Sequence, residues 1–307
     1  MRRVVAISNG KGGVGKTSLT AGLAGLVAAS GYRVLTVDMD PQANLRRDLG
    51  YPQADDGLGL TSAIRDGVIL EPLRDVRPGL DCVPGGATLS DLPATFIARS
   101  TRGTAISGLS GVLSKIRPAG EQHADYDLVL IDTPPGEPIL QDLVLTAADY
   151  LVIPTRSDDG SIDGLVSVAQ RFVRARAANP DLTLLGVVLF GVGARSTRLR
   201  TAVRTALEET LDGAAPVFEA NIRYLESASI DIRRHGLLPH ELEASQGTEK
   251  SERLARLHNR EGGGGEGLLS RDASGLAGDY NQLARELLEM IAEHESRRLA
   301  ATTKAGA

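Results

Sequence analysis

The amino-acid sequence predicts an α/β fold of the doubly wound type, in which a mostly parallel sheet is covered by helices on both faces. Short apolar, β-branched runs alternate along the chain with segments whose apolar residues recur at helical spacing. The first of these runs leads directly into a glycine-rich loop and then into a helix. Two later runs end in aspartate. Because ligands bind at the carboxyl ends of parallel strands, these features also predict where the functional site lies.

Each predicted strand is a short apolar run bounded by polar or turn-forming residues. These runs occupy 4–8, 33–37, 80–83, 126–131, 150–153 and 182–190. Apolar residues at helical spacing follow the glycine loop from Thr17 and recur at 60–66, 99–116, 139–147, 162–177 and 195–211. Strands separated by helices in this way favour a mostly parallel sheet with both faces covered.

One large domain is predicted over residues 1–243, because strand and helix patterns alternate without a linker through most of this range. Residues 244–274 are charged, lack apolar periodicity and include four consecutive glycines at 262–265. This composition is typical of a flexible excursion. Residues 275–307 carry Tyr280, Leu283 and Leu287 at helical spacing, which predicts a final helix that packs back on the domain.

Composition excludes several classes of function. The chain has 307 residues and a formal net charge of −5, so contact with nucleic acid would need a local basic patch. The single cysteine, Cys82, excludes an intramolecular disulfide and a cysteine-only metal or iron–sulfur site. The first apolar run ends at Ile7, too early for a secretory signal, and no run approaches the ~20 apolar residues of a membrane-spanning helix. A cytoplasmic protein is expected.

Residues 10–17 match the phosphate-binding pattern G-x-x-x-x-G-K-T. Glycines allow backbone N–H groups to curl around oxygen atoms, and the start of the following helix adds partial positive charge. The loop therefore predicts binding of a nucleotide, ATP, together with Mg²⁺. Its candidate nucleotide-binding residues are Gly12, Gly13, Val14, Gly15, Lys16, Thr17 and Ser18.

The two lysines of the loop suggest different tasks. Lys16 is placed to neutralise the phosphates of the bound nucleotide, and the hydroxyl of Thr17 is placed to ligate Mg²⁺. Lys11 is a second cation in the same short loop, and one lysine is enough for the chain's own nucleotide. We therefore expect Lys11 to reach the nucleotide of a partner subunit, so that two chains form a dimer whose active sites complete each other.

Three aspartates at the ends of predicted strands supply the carboxylates. Asp132 ends a buried strand and is predicted to hold Mg²⁺. In many such sites the aspartate contacts the metal through a water molecule. Asp38 and Asp40 follow the second strand, and the two-residue period of an extended chain puts them on the same side. We assign Asp38 to the water ligands around the metal and Asp40 to the attacking water. A carboxylate is a weak base for water, so hydrolysis is expected to be slow and to depend on positioning.

Three motifs together resemble the ParA-type partition ATPases, in the deviant Walker A superfamily of P-loop NTPases that also contains MinD. They read Lys-Gly-Gly-Val-Gly-Lys-Thr at 11–17, Asp-Met-Asp-Pro-Gln at 38–42 and Ile-Asp-Thr-Pro-Pro-Gly at 131–136. The resemblance covers roughly residues 1–240. It implies that Lys11 is the signature lysine that crosses the dimer and that Asp40 is the hydrolytic aspartate. It also implies a dimer-facing segment in which Asp158 or Asp163 holds Lys11 when ATP is absent.

A function in DNA segregation is what this resemblance implies. Such proteins dimerise on ATP, bind DNA non-specifically and are released when a ParB-like centromere-binding protein stimulates hydrolysis, which predicts a nucleoid-associated location. Clustered arginines offer a DNA-binding patch, since phosphate contacts need only cations on a surface. A solvated helix face with internal ion pairs is the alternative interpretation. The candidate residues are Arg195, Arg198, Arg200, Arg204, Arg223, Arg233 and Arg234.

Three other functions compete with segregation. A membrane-positioning ATPase of the MinD kind is the first, although acidic residues of the final helix, such as Glu286 and Glu289, disfavour stable binding to an anionic membrane. A redox enzyme related to the nitrogenase iron protein would need more cysteines within the chain. The third is a nucleotide-dependent interaction module that does not hydrolyse ATP. Residues 222–226 also depart from the Pro-Arg-Asn-type stretch that many ParA-type members keep.

Overall fold

The computed structural model describes residues 3–101, 108–117, 125–156, 159–193, 215–245 and 275–305, together with 201, 204–205 and 207–209. Its strands are β1 (Val4–Ile7), β2 (Val34–Asp38), β3 (Leu73–Arg77), β4 (Leu80–Val83), β5 (Leu128–Asp132), β6 (Tyr150–Thr155), β7 (Thr183–Val192) and β8 (Val217–Arg223). In this part of the chain they form one 8-stranded sheet in the order β3-β4-β2-β5-β1-β6-β7-β8. All neighbouring strands pair in parallel except β3 with β4.

Helices surround this sheet, and their bounds follow the sequence periodicity in most places. They are α1 (Lys16–Ala29), α2 (Leu45–Leu49), α3 (Leu58–Asp66), α4 (Leu92–Thr101), α5 (Gly108–Leu113), α6 (Pro138–Ala147), α7 (Asp159–Ala178), α8 (Glu226–His235) and α9 (Leu276–Ala305). The arrangement confirms the predicted doubly wound α/β fold. Strands β3 and β8 and helices α2 and α8 were not predicted.

The helix predicted over 99–116 is wrong in its bounds. Helix α4 begins earlier, at Leu92, and a separate helix, α5, begins at Gly108. Gly108 has a φ of 68°, a left-handed conformation that a continuous right-handed helix does not contain. Pro93 lies in the first turn of α4, where proline is tolerated because its missing N–H would have no partner within the helix.

Both faces of the sheet are buried, and β1 shows this most simply. Val5 and Ile7 belong to a core that contains side chains of α1, α2, α8 and α9. Val4 and Ala6 point the other way, into a core with side chains of α3 to α7. Successive residues of a strand face opposite sides, so a strand that is apolar throughout must be covered twice.

Helix α9 covers the edge strand β8 and supplies acceptors for its backbone. The carboxylate of Glu286 accepts hydrogen bonds from the N–H groups of Glu219, at 2.7 Å, and Ala220, at 2.9 Å. The carboxylate of Asp279 accepts from the N–H of Arg223 at 3.0 Å and forms an ion pair with its guanidinium at 2.7 Å. Side-chain carboxylates therefore satisfy edge groups that would otherwise be open to another strand.

The same helix also contacts the start of α1. The hydroxyl of Tyr280 donates to the carbonyl oxygen of Ser18 at 3.2 Å. The ring of Tyr280 occupies the space beside Gly22, where a Cβ atom would overlap it. Tyr280 and Leu283 are buried in the same core as β1, so α9 is tied to the helix that follows the glycine loop.

Some predicted elements fall outside the described residues. This applies to 246–274, most of the predicted excursion, and to much of the predicted helix at 195–211, where 201, 204–205 and 207–209 are helical. Within the part of the chain that the structure describes, no helix combines the length and the apolar character needed to cross a membrane.

The contact between α1 and α9 predicts an effect on stability. We expect Gly22→Ala to lower the free energy of unfolding by about 1–3 kcal/mol, because the added methyl group overlaps the Tyr280 ring. Urea-induced unfolding measures this change. Gly278→Ala is the control, since its Cβ would meet no atom of the described residues within 4 Å. This substitution should raise stability by at most about 1 kcal/mol. Equal stability of the two variants would show that α9 does not pack on α1 in this way.

Candidate nucleotide site

The glycine loop runs from the carboxyl end of β1 to the start of α1 and is fixed at both ends. The side-chain amide of Asn9 donates to the carbonyl oxygen of Pro154 at 2.7 Å, and its oxygen accepts from the N–H of Lys11 at 2.9 Å. Gly15 has a φ of 93°, and a Cβ there would overlap the ring of Phe190. Both the backbone conformation and the available space therefore require glycine at this position.

Lys16 is held inside the loop. Its side chain is buried, with 6% of the residue exposed, and Nζ donates to the carbonyl oxygen of Lys11 at 2.8 Å. Burial lowers the pKa of Lys16, whereas the negative charges of Asp132 and Asp40 act to raise it. Lys11 itself is half-buried, at the opposite end of the loop. A buried ammonium group in a loop of backbone amides is suited to an anion with several charged oxygens.

The three predicted acids meet at one edge of the sheet. In the strand register Asp38 at the end of β2 lies beside Asp132 at the end of β5, and Asp132 lies beside Ile7 of β1. One oxygen of Asp38 accepts from the N–H of Asp40 at 2.9 Å, and Asp40 accepts from the N–H of Gln42 at 2.9 Å. Among the described residues, the second oxygen of Asp38 and both oxygens of Asp132 are buried without a hydrogen-bond partner.

Burial controls the protonation of these acids. It raises the pKa of Asp132 to about 7, against the opposing influence of the Thr17 hydroxyl and the Lys16 ammonium. Burial, and then the charge of Asp132, raise the pKa of Asp38 well above its ordinary value. A buried carboxylate without a partner is costly, and a divalent cation would stabilise its ionised form. Mg²⁺ prefers oxygen ligands and keeps several waters, so Thr17, Asp38 and Asp132 fit a magnesium site completed by water and phosphate.

Gly85, just after β4, is a part of the site that sequence reasoning missed. A Cβ at this position would lie 2.7 Å from the carbonyl oxygen of Asp38 and 2.8 Å from that of Asp40. These are backbone atoms, so a side chain could fit only if the acidic segment moved. The sequence signal is the pair Gly85-Gly86, which follows a predicted strand at the same edge of the sheet.

A cavity of about 400 Å³ opens beside the loop, and much of its wall comes from residues that the motifs did not identify. It combines cations, aromatic rings and apolar groups, and the guanidinium of Arg156 lies 5.7 Å from the ring centre of Tyr224. Arg156 and Phe190 lie at carboxyl ends of strands, which could have indicated them. No sequence feature of this kind indicates that Tyr280 lies in the cavity wall. Besides Gly12, Gly13, Gly15, Lys16, Thr17, Ser18 and Asp40, the wall includes Asn44, Pro135, Arg156, Phe190, Ile222, Arg223, Tyr224, Leu225, Ser229, Ile232, Arg233, Leu276 and Tyr280.

The predicted contacts of Asp158 and Asp163 with Lys11 cannot be read from the structure, because it does not describe the two aspartate side chains. Asp158 lies outside the described residues. Asp163 belongs to helix α7, but its side chain lies outside the described part of the structure. Their relation to Lys11 therefore stays a prediction.

The predicted DNA-binding arginines occupy different surroundings. Arg195, Arg198 and Arg200 lie outside the described residues. Arg204 forms an ion pair with Glu219 at 2.6 Å, and Arg223 pairs with Asp279, as described above. Arg233 and Arg234 are exposed on α8. Arg223 and Arg233 also line the cavity beside the loop. Contact of these side chains with DNA stays a prediction.

The glycine loop, the start of α1 and the buried acids face the same edge of a parallel sheet. This is the arrangement of a P-loop nucleotide-binding protein, in which backbone amides at a helix N-terminus hold phosphate.

Comparisons with known proteins identify the family. The model of a family described as an AAA domain matches residues 2–184. Over 190 residues the chain is 35% identical to the chromosome partitioning protein ParA of Caulobacter vibrioides (strain NA1000 / CB15N), covering 61% of this chain and 68% of that protein. Over 200 residues it is 32% identical to the sporulation initiation inhibitor protein Soj of Bacillus subtilis (strain 168), covering 64% and 75%. The chain belongs to the ParA-type ATPases, as its motifs predicted.

A solved structure shows the same fold beyond the matched segment. Cobyrinic acid a,c-diamide synthase from Mycobacterium smegmatis, with bound ADP and magnesium, superposes with a TM-score of 0.63 and 28% sequence identity. The superposition covers 77% of this chain and 93% of that protein. The fold is therefore shared with a protein that holds ADP and magnesium.

The close approach at Gly85 leads to a prediction for the site. We expect Gly85→Ala to weaken binding of magnesium ATP roughly tenfold, equivalent to about 1.4 kcal/mol, because the methyl group displaces the Asp38–Asp40 segment. Titration with a fluorescent ATP analogue measures the affinity, and a thermal melt without nucleotide reports folding. Gly278→Ala is again the control. Unchanged affinity in Gly85→Ala would remove Gly85 from the site.

Proposed function

We propose that this chain is a partition ATPase that dimerises on ATP, binds DNA non-specifically and is released by slow ATP hydrolysis stimulated by a ParB-like centromere-binding partner. The observation that carries the proposal is a set of buried carboxylate oxygens of Asp38 and Asp132, beside the loop lysine Lys16, that have no hydrogen-bond partner among the described residues. The likeness to the chromosome partitioning protein ParA supports the cellular role. A cytoplasmic, nucleoid-associated location belongs to this proposal.

ATP and Mg²⁺ are the proposed ligands. The loop amides and Lys16 would hold the phosphates, and the bound ADP and magnesium of the cobyrinic acid a,c-diamide synthase support this choice. Thr17, Asp38 and Asp132 would hold Mg²⁺, which when bound neutralises charge on the β- and γ-phosphates. Ionised Asp38 and Asp132 would then face a divalent cation in addition to the Lys16 ammonium.

Hydrolysis is assigned to Asp40. The residue is 5% exposed, and the hydrogen bond that its carboxylate accepts from the N–H of Gln42 fixes its orientation at the edge of the cavity. Asp40 would hold the attacking water in line with the γ-phosphate. Because a carboxylate is a weak base for water, the rate should depend on how well the water is positioned, and a partner that improves this would accelerate turnover.

Dimerisation is assigned to Lys11, which would reach the phosphates of the partner subunit's nucleotide. In the absence of ATP, Asp158 or Asp163 would hold the Lys11 side chain. DNA binding is assigned to the arginine patch predicted from sequence. Arg234 is exposed on α8, whereas Arg204 and Arg223 already have carboxylate partners that DNA phosphates would have to replace.

A membrane-positioning role of the MinD kind is less well supported. Helix α9 uses Glu286 to bind the β8 backbone and Glu295 to pair with Arg3 at 2.9 Å. Its apolar side chains Leu283, Leu287 and Ile291 are in the core. Co-sedimentation with anionic liposomes in the presence of ATP would distinguish the two roles.

One experiment tests the main proposal directly. ATPase activity is measured with and without non-specific DNA, and the mass in solution is measured with ADP and with a non-hydrolysable ATP analogue. We expect slow phosphate release and a doubled mass with the analogue. A monomer under every condition, or no phosphate release, would overturn the proposal.

The role of Asp40 gives a specific prediction. Asp40→Ala should bind ATP and remain as a dimer on DNA, because the water is no longer positioned while the phosphate contacts are intact. Phosphate release and retention on a DNA-coated surface measure the two effects. Asp91→Ala, which removes an exposed acid at the last position of the 3-10 turn at 87–91, is the control and should turn over like the wild type. Normal turnover in Asp40→Ala would contradict the assignment.

Substitution of the two loop lysines should have different effects on nucleotide binding and on dimerisation. Lys11→Ala should still bind ATP but stay monomeric, because its cation acts on the partner's nucleotide. Lys16→Ala should lose nucleotide binding itself, because the buried ammonium lies inside the loop. Nucleotide titration and light scattering measure binding and mass for both variants. A Lys11→Ala protein that forms the ATP dimer would remove Lys11 from the interface.

A further inference from the structure

A buried acid that no motif identified lies directly behind the glycine loop. Asp48, in α2, is 1% exposed, and one of its oxygens accepts from the hydroxyl of Ser18 at 2.9 Å. Its other oxygen lies 3.6 Å from Nε of Arg233. Ser18 follows Thr17 in the first turn of α1, and Arg233 lies on α8 in the wall of the cavity. One carboxylate thus connects three helices around the candidate nucleotide site.

The geometry of this connection is fixed by the backbone. Gly50 and Gly236 end α2 and α8, and they pack so closely that a Cβ on Gly236 would overlap Gly50. The guanidinium of Arg77 donates to the carbonyl oxygens of Leu49, at 3.0 Å, and Gly236, at 2.6 Å. Both helix ends are therefore held together, and Arg233 is kept against Asp48 one turn before Gly236.

The charge of Asp48 works against the binding of phosphate. A negative charge behind the loop repels an anionic ligand, and the charge of Asp48 also contributes to the raised pKa of Asp132. Burial raises the pKa of Asp48, while the Ser18 hydroxyl and the positive charge of Arg233 oppose that rise. The Arg233 side chain is 60% exposed, so its pair with Asp48 adds little to folding stability. The effect of this ion pair is instead to offset the negative charge of Asp48 beside the cavity.

We propose that Arg233 is a positioning residue for nucleotide binding, which neutralises Asp48 and keeps its carboxylate directed toward Ser18. The inference rests on the proposed binding of ATP at the loop. This role of Arg233 differs from the DNA contact that the sequence predicts for it. Arg233 acts through Asp48 and Ser18 and need not touch the nucleotide.

Two adjacent arginines provide the test. Arg233→Gln and Arg234→Gln each remove one positive charge from the exposed surface of α8. Without DNA, we expect Arg233→Gln to weaken binding of ADP and ATP about fivefold, and Arg234→Gln to leave the affinity unchanged. Titration with a fluorescent nucleotide measures both. If Arg233 serves only as a DNA contact, the two variants will bind nucleotide equally well, and the inference fails.

Two further variants separate charge compensation from general damage to the fold. Asp48→Asn in the Arg233→Gln background should restore affinity, because the uncompensated charge is gone. Arg233→Lys should stay close to the wild type, because the cation is kept. Failure of the double variant to recover, or an equal loss in Arg233→Lys, would overturn the inference. A wild-type chain that binds no nucleotide would instead overturn the proposed function.

Discussion

Parallel pairing of β2 with β5 places Asp38 directly beside Asp132, and both carboxylates are buried. The apolar residues before them build the core, so the register that packs the sheet also forces two acids into one small volume. Like charges in a poorly solvated place disfavour ionisation, and here burial raises both pKa values. Within the part of the chain that the structure describes, three of their oxygens have no hydrogen-bond partner, and this deficit makes the edge of the sheet receptive to a cation.

Elements distant in the chain hold this edge in place. Gly85 lets the segment after β4 lie against the carbonyl oxygens of Asp38 and Asp40, and Phe190 of β7 fills the space beside Gly15. Tyr280 of α9 reaches the first turn of α1. Local contacts alone therefore do not fix the geometry of the loop and the acids. Their positions depend on packing from both halves of the sheet, including Phe190 and Tyr280, which lie beyond residue 184.

The central strands could be predicted because each is a continuous apolar run buried on both faces, as in β1 and β5. The edge strands lack that signal. In β8 the buried residues Phe218, Ala220 and Ile222 alternate with polar neighbours, and β3 contains no buried residue. The loop lysines and acids could be found from local motifs. The cavity wall could not, because Tyr224 reaches it through the pairing of β8 with β7, and Tyr280 reaches it through the packing of α9 on α1.

The contacts between α9 and β8 have a consequence for any shortened form of the chain. Glu286 is the acceptor for two backbone amides of the outermost strand, and Asp279 serves a third. Proteolytic removal of α9 would leave those donors facing water, along with the apolar groove that Leu283 and Leu287 fill. An uncovered strand of this kind can recruit an equivalent strand from another molecule. A clipped fragment should therefore associate through intermolecular sheet extension, which would produce oligomers unrelated to the nucleotide-dependent dimer.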